Sequence, residues 1–141
     1  MTFRIISIGT LSHHELWQRP QSPRTAHATT ILIQAEGKNL LVDPSLPDPI
    51  ITARLAERVA LGPDDIDLVF LTNFRPAHRR GLAVFKNARW LISDREREVV
   101  GGRLVEDLEH QDDEETRQLY RQEIATLRRF EAAPDQLFEG V

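Results

Sequence analysis

The amino-acid sequence predicts an α/β layered domain, and three observations carry that reading. Strand-like runs rich in β-branched residues alternate with helical periodicity, in the order strand, hairpin, helix, strand, turn, strand, helix. The run "IDLVFLT", residues 66–72, is apolar almost throughout, as a strand covered on both faces must be. Residues 112–132 place Leu119, Tyr120, Ile124, Leu127 and Phe130 on one helical face, which requires a sheet or helix to receive them.

Each element has a local cause. "FRIISIG" (3–9) is strand-like and closed by Gly9, and a long polar loop follows, "SHHELWQRPQSPRTAH". "TTILIQA" and "NLLVDP" flank a short glycine-containing turn and make a hairpin. A helix is predicted from Asp48 as N-cap with Pro49 at its first position. Ile51, Leu55 and Val59 form its buried face, and Gly62-Pro63 end it. After "IDLVFLT" and its turn comes a strand, "ARWLIS" (88–93). A short helix capped by Asp94 then runs through Val99 until Gly101-Gly102 break it. The last helix, 112–132, is acidic at its start and carries Arg128-Arg129 near its end, which suits the helix dipole. No repeat or linker interrupts residues 1–141, which read as a single domain.

Composition excludes several classes of function. The chain has 141 residues and a net charge of −4, from 18 basic and 22 acidic residues, which argues against a nucleic-acid footprint over the whole surface. It has no cysteine, so disulfides, thiolate metal sites and cysteine nucleophiles are ruled out. The N-terminus lacks the pattern of a signal peptide, and no apolar run approaches the roughly 20 residues that span a bilayer. The expectation is a soluble, cytoplasmic protein with no membrane partner. The glycine-rich phosphate loops and the G-x-S-x-G elbow are both absent.

The chemistry concentrates in "LTNFRPAHRRG", residues 71–81, the turn after the buried strand. Together with the hairpin ending in "LLVDPSLP", the helix "ITARLAERVALGPDDID", the strand "LVFLT" and the later "FKNARWLIS", this turn resembles the metallo-β-lactamase superfamily. The resemblance covers residues 3–100 and continues loosely through the long helix. It implies a truncated αββα sandwich, a mixed sheet with helices on one face, because the chain stops at Val141 where a further strand would begin. Where that superfamily carries T-H-x-H-x-D-H, the turn here reads T-N-x-R-x-A-H. Family histidines two apart aim neutral nitrogens at one zinc, and the Asp-His pair holds a second metal with a bridging hydroxide. Here Asn73 offers a poor ligand, Arg75 stays protonated, Ala77 offers nothing, and only His78 survives.

The resemblance therefore implies a degenerate metal site, with no zinc cofactor and no catalytic residue. The first reading is a non-catalytic pseudoenzyme that acts as a binding or assembly module. Half a sandwich leaves an apolar sheet face and an edge strand open, so a homodimer or higher homo-oligomer is expected. A second reading is a metal-dependent hydrolase-like enzyme with a rebuilt site, using His13, His14, Asp43 and His78. A third is a small-anion binder, with Asp43, Arg75 and His78 as candidate ligand-binding residues. The blander alternative for Arg75 is a pair with Asp43 or another carboxylate that fills the vacated metal position. Asp43 itself is expected to hold the turn through backbone hydrogen bonds. Trp17 and Trp90 read as packing residues, and His27 and His110 as solvated or locally bonded. Ser45 and Ser93 lack the partners of an activated nucleophile.

Overall fold

The computed structural model describes residues 1–15 and 25–140. Trp17 and the middle of the long first loop lie outside them.

Among the described residues the chain forms a six-stranded mixed sheet and four helices. The strands are β1 (Thr2–Ser7), β2 (Thr30–Ala35), β3 (Lys38–Val42), β4 (Leu68–Leu71), β5 (Arg89–Ile92) and β6 (Glu131–Ala132), and they lie in the sheet in chain order. β1, β2 and β3 pair antiparallel, and β3 to β6 pair parallel. The β2–β3 hairpin turns on Glu36 and Gly37, with φ of 52° and 72°. Two consecutive left-handed residues match the twist of the strands they join, and glycine takes the second without strain.

The parallel strands need crossovers, which the helices supply. Helix α1 (Asp48–Val59) buries Ile51 and Leu55 against the sheet. Pro47, not Asp48, occupies its N-cap position, and Ala60 at φ 55° ends it ahead of Gly62. The one-turn helix α2 (Pro76–Arg79) follows β4. Helix α3 spans Asp94–Glu109, so the break expected at Gly101-Gly102 does not occur, and Ser93 rather than Asp94 caps it by accepting the Glu96 N–H. Two glycines cost about 1 kcal/mol each in a helix interior. Val100 and Leu104 offset this by packing on the core. Helix α4 (Glu114–Arg128) is capped by Asp113 and lies against α3. Its buried stripe runs through Tyr120, Ile124 and Leu127, so Leu119 is left 58% exposed instead of sharing that face.

Strand alternation sorts the core into two clusters. Leu32, Leu41, Val69, Leu71, Trp90 and Ile92 point to the side covered by α1 and α4, where Phe130 and Leu127 complete the packing. Ile33, Leu40, Leu68 and Leu91 point to the other side, where the segment 133–138 covers part of the sheet through Leu137 and Phe138. Among the described residues nothing covers the rest of that face. A groove of about 390 Å³ is lined by Phe3, Ile31, Ile33, Val42 and Phe70, with Pro134 at its rim. Phe3 and Ile5 are more than half exposed.

Candidate functional site

β3 and β4 are parallel neighbours, so the residues that follow them emerge side by side at one edge of the sheet. Asp43 is the first residue beyond β3 and Thr72 the first beyond β4. Asp43 takes a left-handed φ of 49°, which aspartate tolerates better than most side chains, and its backbone N–H bonds to the Phe70 carbonyl. Buried hydroxyls fix the chain behind it. Thr30 Oγ1 donates to the Asp43 carbonyl at 2.6 Å, and Ser45 Oγ donates to the Ala28 carbonyl at 2.6 Å. Gly81 closes the turn against the start of α1, where a Cβ would stand 2.4 Å from the Leu46 carbonyl oxygen.

This frame fills the Asp43 carboxylate, which is 4% exposed, with donors. Oδ1 accepts the Thr72 N–H at 2.8 Å, and Oδ2 accepts the Thr72 hydroxyl at 2.6 Å and His78 Nδ1 at 3.0 Å. The other end of the imidazole is occupied too. Arg75 N–H donates to Asn73 Oδ1 at 3.0 Å, which turns the Asn73 amide nitrogen toward His78 Nε2, 3.0 Å away. A backbone N–H can only donate, so Oδ1 must be the acceptor and Nδ2 the donor. His78 Nε2 therefore accepts, and the ring proton sits on Nδ1, facing Asp43. The network reads Asn73 to His78 to Asp43, with Thr72 bridging.

The predicted residues thus separate. Asn73, His78 and Asp43 come together, whereas Arg75 does not join them. The expected pair between Arg75 and Asp43 is not formed, because Asp43 is already satisfied by Thr72 and His78. The Arg75 side chain is exposed and makes no ion pair among the described residues. It lines a groove with Phe74, Arg79, Glu96, Arg103 and Glu123 on the side of α3. Ala77 contributes its carbonyl, which accepts the Ala28 N–H and ties the turn to the first loop. His13, His14, Asp43 and His78 do not make up a metal-holding group of three or more among the described residues. No group of three or more histidine or acidic side chains that could hold a metal exists among the described residues. His27 bonds locally to the Ala28 carbonyl and His110 to the Glu106 carbonyl.

Sequence reasoning missed Thr72 and a second bracket around the turn. Arg79 stacks 4.1 Å from the Phe74 ring, donates Nε to the Phe74 carbonyl at 2.7 Å, and pairs with Glu123 of α4. Glu96 of α3 accepts the Phe74 N–H at 3.1 Å. Only the neighbouring strands signal Thr72's role, since they bring a residue 29 positions away onto Asp43.

The donor set does not fit zinc. Of the four motif positions only His78 carries a suitable lone pair, and the Asn73 amide N–H already points at it.

The family model of the metallo-beta-lactamase superfamily matches residues 24–130, well over half of the chain, and the chain belongs to that superfamily. No curated protein sequence matches it significantly. Among solved structures, it superposes on a protein of Thermotoga maritima described as a metallo-beta-lactamase. The TM-score is 0.62 at 15% identity, over 97% of this chain and 61% of that one. It also superposes on AidC, a dizinc quorum-quenching lactonase, with TM-score 0.59 at 19% identity, over 81% of this chain and 46% of that one. At such identities the likeness is one of fold, and the chain spans less than two thirds of either structure's length.

Proposed function

We propose that this member of the metallo-beta-lactamase superfamily is a non-catalytic binding or assembly module that self-associates and holds no metal cofactor. The observation that carries this reading is the Asn73–His78 hydrogen bond. The last motif imidazole is engaged at both nitrogens, by Asp43 and by Asn73, and has become part of the scaffold of the turn. Zinc-activated water is held by an ion with about three protein ligands, and this turn supplies none that is uncommitted. A cytoplasmic location suits the cysteine-free sequence, and no described helix is long and apolar enough to cross a membrane.

Assembly is supported by the open sheet face. Phe3, Ile31, Ile33, Val42 and Phe70 form a contiguous apolar surface, and β1 beside it is an edge strand. A second copy of the chain would cover both. Sedimentation at micromolar concentration is expected to show a dimer or larger species, and Phe3→Glu is expected to convert it to monomer. A monodisperse wild-type monomer would overturn the assembly half. Elemental analysis of protein purified without chelator tests the other half: stoichiometric zinc, iron or manganese that is lost on His78→Ala would overturn it.

One observation favours a second reading, a small-anion binder that includes Arg75. Its exposed guanidinium has no ion pair among the described residues and shares a groove with Arg103, a groove that Glu96 and Glu123 also line, each already bonded to the turn. Phosphate-dependent thermal stabilisation that vanishes in Arg75→Ala would support it. Stabilisation unchanged in that variant would remove it.

A further inference from the structure

We propose that the groove between the end of α2 and the end of α4 binds a small organic anion, with its charge on Arg80 and Arg129. This inference does not depend on the Asn73–His78–Asp43 network or on the open sheet face, although Arg79 and Arg80 end the same stretch, residues 71–81. The groove has a volume of about 460 Å³ and is lined by Arg79, Arg80 and Arg129 over Leu82, Trp90 and Ala125. No carboxylate lines it among the described residues, although the chain as a whole carries a charge of −4. A cleft of one sign in a protein of the other attracts ligands of the protein's own charge.

The three arginines are not equivalent. Arg79 is consumed by Glu123 and the Phe74 carbonyl, so it forms a wall and contributes little free charge. Arg129 is held without being neutralised. Its guanidinium lies 3.6 Å from the centre of the Trp90 ring and one Nη donates to the Lys86 carbonyl at 2.6 Å. Trp90 is itself anchored, with Nε1 donating to the Phe85 carbonyl at 2.9 Å. Stacking and a single backbone bond fix the plane of the fork and leave its other N–H groups for a ligand. Much of the ordering cost of binding is then met in advance. Arg80 makes no ion pair among the described residues. A cation at the end of α4 also offsets the helix dipole, but that role needs one charge and no apolar floor. Two guanidinium groups above Leu82 and Ala125 suit a phosphate or carboxylate carried on an apolar body, because forked donors match such oxyanions.

Calorimetric titration of the full chain with phenyl phosphate, inorganic phosphate and phenol tests this. Phenyl phosphate is expected to bind tightest, inorganic phosphate more weakly, and phenol not measurably. Arg80→Ala and Arg129→Ala are each expected to weaken phenyl phosphate by about tenfold or more, as loss of a charged hydrogen-bond partner does. Ala83→Glu places a carboxylate at an exposed position of the groove without removing a contact, and is expected to abolish binding while circular dichroism stays unchanged. Arg54→Ala, on the exposed side of α1, is expected to bind as wild type. Absence of saturable phenyl phosphate binding at millimolar concentration would overturn the proposal. So would equal affinity in wild type and Ala83→Glu, which would place the anion elsewhere.

Discussion

Leu41, Val69, Leu71 and Ile92 point to one side of the sheet and are sealed beneath α1 and α4; Phe3, Ile5, Ile31 and Val42 point to the other and keep contact with water. Both sets are apolar strand residues of one sheet, and β3 carries one of each in Leu41 and Val42, so strand propensity cannot explain the difference. Cover does. Parallel strands two-sidedly rich in Leu, Val and Ile are built to be buried twice. Among the described residues one side receives the three helices α1, α3 and α4, and the other only the short segment 133–138.

That contrast can be broken by truncating one residue on each side. Leu71 is fully buried, and Leu71→Ala is expected to cost about 2–5 kcal/mol, the transfer and cavity terms together. Ile5 is 53% exposed, and Ile5→Ala should stay within about 0.5 kcal/mol in the dissociated chain. Urea unfolding read as a midpoint shift at constant slope gives both values. If Ile5→Ala becomes costly as protein concentration rises, a second copy covers that face, and the two sides differ only before assembly.

A smaller effect is expected where the covered core meets the motif turn. Asp43→Ala removes the acceptor for the Thr72 N–H, the Thr72 hydroxyl and His78 Nδ1, and leaves alanine at a left-handed φ. Hydrogen bonds to a charged group are worth about 1.5–3 kcal/mol, so the loss should be about 2–3 kcal/mol by the same assay. A loss under about 0.5 kcal/mol would be that of an ordinary surface substitution and would mean that the network does not hold the turn.

What the sequence disclosed follows physical range. Period-two alternation, the Glu36-Gly37 hairpin, and the Ile51, Leu55, Val59 stripe of α1 are local signals, and each produced the element it predicted. The loss of metal ligands was equally legible, because it is a matter of residue identity. How Asn73 is used was not, since its amide is oriented by the Arg75 N–H and acts on a ring five residues on. Arg75 misled for a similar reason: its charge suggested Asp43 as a partner, but two residues already satisfied that carboxylate. β6 was invisible because two residues show no alternation. It exists through pairing with Leu91 and Ile92. The groove of Arg80 and Arg129 joins residues about fifty positions apart, which only the docking of α4 brings together.

The extent of α3 is the remaining discrepancy, and it yields the smallest prediction. Gly101 and Gly102 read as a break because glycine costs helix stability relative to alanine. The helix continues through them, so that cost is still carried by the native protein. The two positions differ. A Cβ at Gly101 would lie 3.5 Å from Leu127 Cδ2, an ordinary contact at the interface with α4, whereas a Cβ at Gly102 would meet nothing within 4 Å. Gly102→Ala is therefore expected to stabilise the protein by about 0.5–1 kcal/mol, chiefly by restricting the unfolded chain. A thermal melt should rise by a few degrees, with binding and assembly unchanged. A fall instead would show that the helix needs glycine's freedom at that point, and that the break read from the sequence survives as a bend.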